Sequence, residues 1–407
     1  MINSTIIRNI NEKLFIFSLF ALPFKYEISS IAIFGVFTLS CYDVIKNKKN
    51  VFNTIKNSFF FFAYFIIEIL GLFYSENLSF GLKDVESKLF FVICPFIFLA
   101  NRFEEKTLNK SYLLFIGSTI ITLIIHFLFG VNYYIKYSSI PNHVNFAFLM
   151  HPAYYSIYLI TSVLLTIKLK KENIIKNNIL FFILLQLLSF GIVLSNSKSG
   201  TITYIIIFIY FIVNQIKKQR KNYLLYFMIV ITFISVSILV VNKIKYTRFS
   251  ELKSSSNFPI QKEYSGEYNS TQERVIIWRS AKQVIINNLF FGTGTGDTKD
   301  ELKKEFKKVN FQNGIKKNYN YHNQYLQIIA TFGVIFGGTI LVFFFYSIFK
   351  ELNNKNYFFI IFNMIIAFNL LFESMFESKA GIELIVLFYC CFLFSFEKNI
   401  VNHILIK

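Results

Sequence analysis

Twelve apolar stretches, between 15 and 26 residues long, follow one another along the chain at about 10–24, 28–45, 57–74, 85–100, 112–131, 152–168, 177–195, 199–214, 223–242, 324–349, 356–373 and 380–396. A bilayer core of about 30 Å takes roughly 20 apolar residues per helix, and backbone in that layer must satisfy its own hydrogen bonds, which a helix does within each segment. The expected fold is therefore all-α: a polytopic membrane bundle of about twelve transmembrane helices. The first, fourth, eighth and last stretches are short or interrupted and leave the count open by one. Only 16% of the residues are charged and 54% are hydrophobic, against roughly a quarter charged in a soluble domain. No small-residue cleavage site follows the first apolar run, which is read as a retained span.

The net charge of +19 raises nucleic acid as a partner, and the position of the charges argues against it. With the N-terminus inside, the inner segments carry 21 lysines and arginines and the short outer loops carry 6, Lys25, Lys83, Lys88, Lys136, Lys198 and Lys379. Cytoplasmic loops hold the basic excess in this way, and long loops cross largely regardless of charge. The expected organisation is spans one to nine in 1–242, an outer loop over 243–323 and spans ten to twelve in 324–407, with both termini inside. The lysine clusters lack the interleaved aromatics of a nucleic-acid surface. Cys41, Cys94, Cys390 and Cys391 all fall in apolar runs, so no disulfide framework is expected.

The outer loop is the long polar segment, and its last part holds the candidate chemistry. Val275, Ile276, Trp278, Ala281, Val284 and Ile285 recur at helical spacing over 271–288. Ser270 or Thr271, with Glu273 behind, is the expected cap, and the helix is expected in the outer interface with Trp278 at the headgroups. A second helix is expected over 297–309. Arg274 and Arg279 stand about 140° apart round the first helix. Only six arginines occur among 42 basic residues, so each is a candidate for work that needs a planar fork. Arg274 is either an anion-binding group or a snorkelling interfacial arginine. Gly292-x-Gly294-x-Gly296-Asp297 reads as a tight turn between two helices in preference to a phosphate cradle, since no strand precedes it. His322, at the return to the membrane, is a general base or a hydrogen-bonded interfacial residue. Gly333 and Gly337 have the spacing of a close helix–helix approach. Lys198 lies in a very short outer turn, Ser195–Gly200. Glu373 and Glu377 sit at the outer end of span eleven, where ionisable groups are functional candidates, with Lys379 near enough to balance Glu377 locally.

Together, Arg274, Trp278, Gly292-x-Gly294-x-Gly296, His322-Asn323-x-Tyr325-Leu326, Gly333 and Gly337, in an outer loop before the tenth span, resemble the O-antigen ligase and polymerase family of bacterial envelope glycosyltransferases. The resemblance implies a metal-independent transferase with no cofactor. It would take a glycan from an undecaprenyl-pyrophosphate carrier at the outer face of the inner membrane, with the loop periplasmic and both termini cytoplasmic. The acceptor would be a sugar hydroxyl of lipid A-core in a ligase, or a second carrier-linked glycan in a polymerase. Arg274 would bind the pyrophosphate and His322 would orient or deprotonate the acceptor. Arg279, Asn323, Tyr325 and Glu377 are further candidates for contacts with pyrophosphate or glycan. The family usually has a second arginine in a short turn between spans; here Lys198 stands in that setting, which keeps the charge and loses the fork. A lipid-linked glycan flippase is the competing class; the one-sided clustering of polar residues and the single long loop favour the enzyme.

Overall fold

The computed structural model describes residues 4–48, 58–101, 103–138, 148–218 and 263–405. Among these residues every regular element is helical. In chain order they are α1 (Ser4–Ala21), α2 (Tyr26–Asn47), α3 (Phe59–Leu72), α4 (Leu78–Ser87), α5 (Phe90–Ala100), α6 (Glu105–Tyr137), α7 (Pro152–Lys171), α8 (Asn178–Leu194) and α9 (Lys198–Lys218). Then come α10 (Ser270–Asn287), α11 (Thr298–Lys308), α12 (Gln312–Lys316), α13 (Gln324–Phe332), a π-turn (Gly333–Gly337), α14 (Gly338–Asn353), α15 (Tyr357–Leu370), one 3₁₀ turn (Met375–Glu377) and α16 (Lys379–Leu405).

Among the described residues, four helical runs are long and apolar enough to cross a membrane, at Tyr26–Asn47, Glu105–Tyr137, Pro152–Lys171 and Gln324–Asn353, and shorter apolar helices lie at Phe59–Leu72, Asn178–Leu194, Lys198–Ile209 and Tyr357–Leu370. Ile31, Phe34, Ile124, Leu128, Val342 and Phe349 are each more than half exposed. Apolar surface presented in this way is matched to a hydrocarbon solvent, and the protein is a membrane protein. The span expected at 223–242 lies outside the described residues. The one expected at 85–100 is interrupted: α4 ends at Ser87 and α5 starts at Phe90. At about 1.5 Å per residue the 11 residues of α5 do not cover the thickness alone. The break falls at Lys88, which is drawn into a buried group of carboxylates rather than left in an outer loop.

The chain divides into two compact units. One comprises Lys13–Ala32 and Glu104–Ser250. Within it α7 packs against α6, α8 and α9 and is buried along nearly its whole length. Small residues allow the approach: a Cβ at Gly200 would lie 2.4 Å from the Ser156 hydroxyl, and one at Gly191 would meet Leu123 and Leu159 at 3.0 Å.

The other unit comprises Met1–Glu12, Ile33–Phe103 and Glu251–Lys407. Its core is aromatic, with Phe61, Tyr64 and Phe91 meeting Phe376 and Tyr389 at centroid distances of 4.7 to 5.7 Å. A second core lies between α10 and the segment that follows it, where Ile276, Ile277, Ala281 and Val284 of α10 pack with Leu302, Phe306, Phe311 and Tyr321.

The span expected at 324–349 breaks at Gly333, whose φ of 67° and ψ of −176° are essentially restricted to glycine. A broken helix inside apolar surroundings needs other partners for its orphaned backbone groups. The segment after α10 supplies them. Thr293 and Gly294 donate their N–H groups to the carbonyls of Ala330 and Thr331 at 2.9 Å, and the carbonyls of Leu289 and Phe290 accept from Val334 and Ile335 at 2.8 and 3.2 Å. The spacing of Gly333 and Gly337 is thus used for a chain crossing at Gly333 rather than for two helices in contact.

Candidate active site

Helix α10 starts at Ser270 because Asn269 caps it. Its side-chain oxygen accepts from the N–H groups of Thr271 and Gln272 at 3.1 and 3.0 Å, and the Gln272 side chain accepts from the Asn269 N–H at 3.1 Å. The cap is therefore Asn269 and not Ser270 or Thr271, with Gln272 rather than Glu273 as its reciprocal partner. Glu273 instead accepts from the Tyr319 hydroxyl at 2.9 Å and from Asn313 Nδ2 at 3.2 Å. The apolar face expected on the membrane surface is spent on the core that α10 forms with Leu302, Phe306, Phe311 and Tyr321, and Trp278 donates its indole N–H to the Tyr321 carbonyl at 3.1 Å. Exposed apolar side chains occur in its last turn, at Ile286, and beyond its end, at Leu289, Phe290 and Phe291.

This capped first turn carries Arg274, and the segment between α15 and α16 brings Glu373 to it. Arg274 Nη2 pairs with Glu373 Oε1, while Glu373 Oε2 lies 3.2 Å from His322 Nδ1. The Glu373 side chain is only 6% exposed, against 28% for Arg274 and 22% for His322. A nearly buried carboxylate therefore joins a cation and an imidazole that both reach solvent. The chain is strained at this point: His322 has φ of 46°, a region non-glycine residues seldom occupy, and its N–H is held by Asn320 Oδ1 at 3.0 Å. Strain of this kind persists where the surroundings over-determine it and collects at functional sites.

Residues 322–324 lie against 373–377 in register. The Asn323 N–H donates to the Ser374 hydroxyl at 3.2 Å, and Gln324 Oε1 accepts from the Phe376 N–H at 2.8 Å. The Asn323 side chain caps α13 through the Leu326 N–H at 3.0 Å. Tyr325 donates its hydroxyl to the Ala367 carbonyl at 2.7 Å, and Arg279 Nη1 donates to the Tyr264 hydroxyl at 2.8 Å. Glu377 Oε1 is 3.4 Å from Gln324 Nε2 and 3.5 Å from Lys88 Nζ. Burial pushes its carboxyl above the usual carboxylate range, with Lys88 opposing. The local balance with Lys379 expected for Glu377 does not form; Lys379 lies 3.7 Å from Glu86 instead.

Lys198 belongs to the other unit, as the first residue of α9. Its turn is built by Asn196 at φ of 50° and by the Ser197 hydroxyl, which accepts from the Gly200 N–H at 3.2 Å. The glycine run is a turn, as its sequence favours, and its amides are spent inside the protein. Beyond Thr293 and Gly294, the Thr295 N–H donates to Gly71 at 3.3 Å and the Gly296 N–H to the Ser75 hydroxyl at 2.9 Å. Asp297 precedes α11 but does not cap it with its side chain; its two oxygens accept from the N–H groups of Glu76 and Asn77 at 2.8 Å.

The sequence names Glu373 as a boundary carboxylate without saying that it is the one that meets Arg274 and His322. A separation of 99 and 51 residues leaves no local pattern to read. Lys88, counted as an outer-loop charge, was not singled out.

The profile of a family described as O-antigen ligase matches residues 182–343. The matched region holds Lys198, Arg274, Arg279 and His322 and stops short of Glu373. No curated protein matches the chain.

Proposed function

We propose that this protein, whose residues 182–343 match the profile of the O-antigen ligase family, transfers a glycan from undecaprenyl pyrophosphate to a sugar hydroxyl of lipid A-core, at the outer face of the inner membrane. The observation that carries the reading is the joining of Arg274 and His322 through one buried carboxylate, Glu373. With the twelve spans and inside termini expected from the charge pattern, this cluster faces the periplasm, where the carrier presents its glycan.

The chemistry follows from the geometry. A carboxylate accepting the Nδ1 proton of an imidazole fixes the tautomer and leaves Nε2 as the base. His322 takes the proton of the acceptor hydroxyl as its oxygen bonds to the anomeric carbon of the donor sugar. The bond from that carbon to the pyrophosphate oxygen breaks, and the electron pair leaves with the carrier. Arg274 meets the developing negative charge; a guanidinium has five N–H donors, so it can hold Glu373 and a phosphate oxygen together. Positioned cations of this kind stabilise a leaving anion without a metal ion. Arg279 supplies further positive charge for the pyrophosphate, and Lys198 is a candidate for the same role on the resemblance alone. Asn323, Tyr325 and Glu377 support the site through their contacts with α13, α15 and Lys88.

Deleting the gene and separating the surface polysaccharide on a gel tests the reading. Loss of all long chains from lipid A-core, with carrier-linked polymer accumulating, is the expected result. A single attached repeat would identify the polymerase reaction of the same family, and an unchanged pattern would remove both. For Lys198, a phosphate role predicts that Lys198→Arg keeps transfer while Lys198→Ala loses about tenfold or more, since hydrogen bonds to charged groups contribute about 1.5–3 kcal/mol. Equal activity of the two variants argues against that role.

A further inference from the structure

We propose that Lys88 is a positioning residue for the transfer reaction, acting through Glu377 to hold the segment Glu373–Glu377 and so the carboxylate that joins Arg274 and His322. The proposal rests on reading that cluster as the transfer site. Lys88 is 2% exposed. Its ammonium lies 2.7 Å from Asp84, 3.0 Å from Glu68 and 3.5 Å from Glu377. Charge compensation of a buried lysine needs one carboxylate, and here there are three. Two of them, Glu68 and Asp84, are on the neighbouring helices α3 and α4. The third, Glu377, ends the 3₁₀ turn in the short link between α15 and α16.

That third carboxylate is the one connected to the site. Glu377 Oε1 also receives Gln324 Nε2 at 3.4 Å, Gln324 Oε1 receives the Phe376 N–H at 2.8 Å, and the Asn323 N–H holds Ser374 at 3.2 Å. One residue before Ser374 stands Glu373, and one before Asn323 stands His322. Between Glu373 and Glu377 there is a single 3₁₀ turn, too short to absorb a displacement at one end. Without the ammonium, Glu68, Asp84 and Glu377 face one another in a buried pocket, where like charges cannot coexist. Glu377, on the irregular segment, is the one free to move out, and Glu373 moves with it. The Lys88 ion pair thereby sets the distance between the base and its orienting carboxylate from a point that substrate does not touch.

The test uses the full-length protein in lipid nanodiscs, with carrier-linked glycan prepared from a strain lacking the gene as donor. Rates are measured against donor concentration for Lys88→Met, Lys88→Arg, Glu377→Ala, the double variant Lys88→Met/Glu377→Ala and His322→Ala. Misplacing a catalytic group by about 1 Å can cost about 100-fold, and a fall of about that size in kcat with KM unchanged is expected for Lys88→Met. Lys88→Arg should recover most of the loss. The double variant should be no slower than Lys88→Met alone, because both changes cut one connection. A wild-type kcat in Lys88→Met, a rise in KM with kcat kept, or multiplying losses in the double variant would each overturn the proposal. If Lys88→Met fails to accumulate, Glu377→Ala carries the same expectation, and its wild-type kcat overturns it equally. Activity in His322→Ala would instead remove the underlying reading of the site.

Discussion

Alanine at His322 is expected to lower glycan transfer about 10³-fold, within the 10²–10⁴-fold range that a positioned general base contributes, while the protein remains in the membrane at its normal level. The imidazole is held by Glu373 at 3.2 Å and is only partly buried, at 22% exposure, so its removal takes away the base without opening the core. Arg274→Ala should fall into the same class, losing about 10²–10³-fold as a group that stabilises developing charge does. In addition it leaves Glu373 without its cation. The measurement is initial-rate transfer with carrier-linked donor in reconstituted membranes, alongside the amount of folded protein. Near-normal rates for either variant would falsify the role given to that residue.

Alanine at Gly333 should be the most destabilising small substitution in the described chain, lowering stability by at least about 3 kcal/mol. A Cβ there would lie 2.2 Å from the Phe290 carbonyl oxygen, a backbone atom that no side-chain rotation can move. The glycine-only backbone region adds about 1–3 kcal/mol of strain to the clash. The reciprocal position, Gly292, with φ of 73° and a Cβ only 2.3 Å from the Thr331 carbonyl, should behave alike. Gly338→Ala is the matched control, because a Cβ there meets nothing within 4 Å. Thermal unfolding of detergent-purified protein reads the difference: a midpoint for Gly333→Ala equal to that of Gly338→Ala would show that the crossing does not brace the broken helix.

That crossing supplies the partners of the glycine run's amides, which the sequence leaves open. Glycines in close succession expose backbone N–H groups, and a sequence cannot tell whether an anion or a carbonyl will take them. The partners are Ala330, Thr331 and Gly71, which lie far along the chain in both directions. The helix cap shows the same limit on a smaller scale. Asn269, Ser270 and Thr271 all have side chains able to cap, and the choice fell on Asn269. Glu273, one residue past the reciprocal position, was drawn instead to Tyr319 and Asn313.

By itself the sequence determined the kind of molecule this is. Apolar length and the helical spacing over 271–288 depend only on neighbours along the chain, which is why the helical membrane class and the helices α10 and α11 could be read from them. It also carried the resemblance to the O-antigen ligase family, through residues that cluster within the region 182–343 that the family profile matches. Which carboxylate meets Arg274 and His322, and what Lys88 does, were decided only by the tertiary structure. Buried charges choose partners by proximity in space, and burial itself exists only after the helices have packed. Glu373 and Glu377 are alike in type and differ by four positions, yet one closes on the imidazole and the other on a lysine nearly 300 residues earlier.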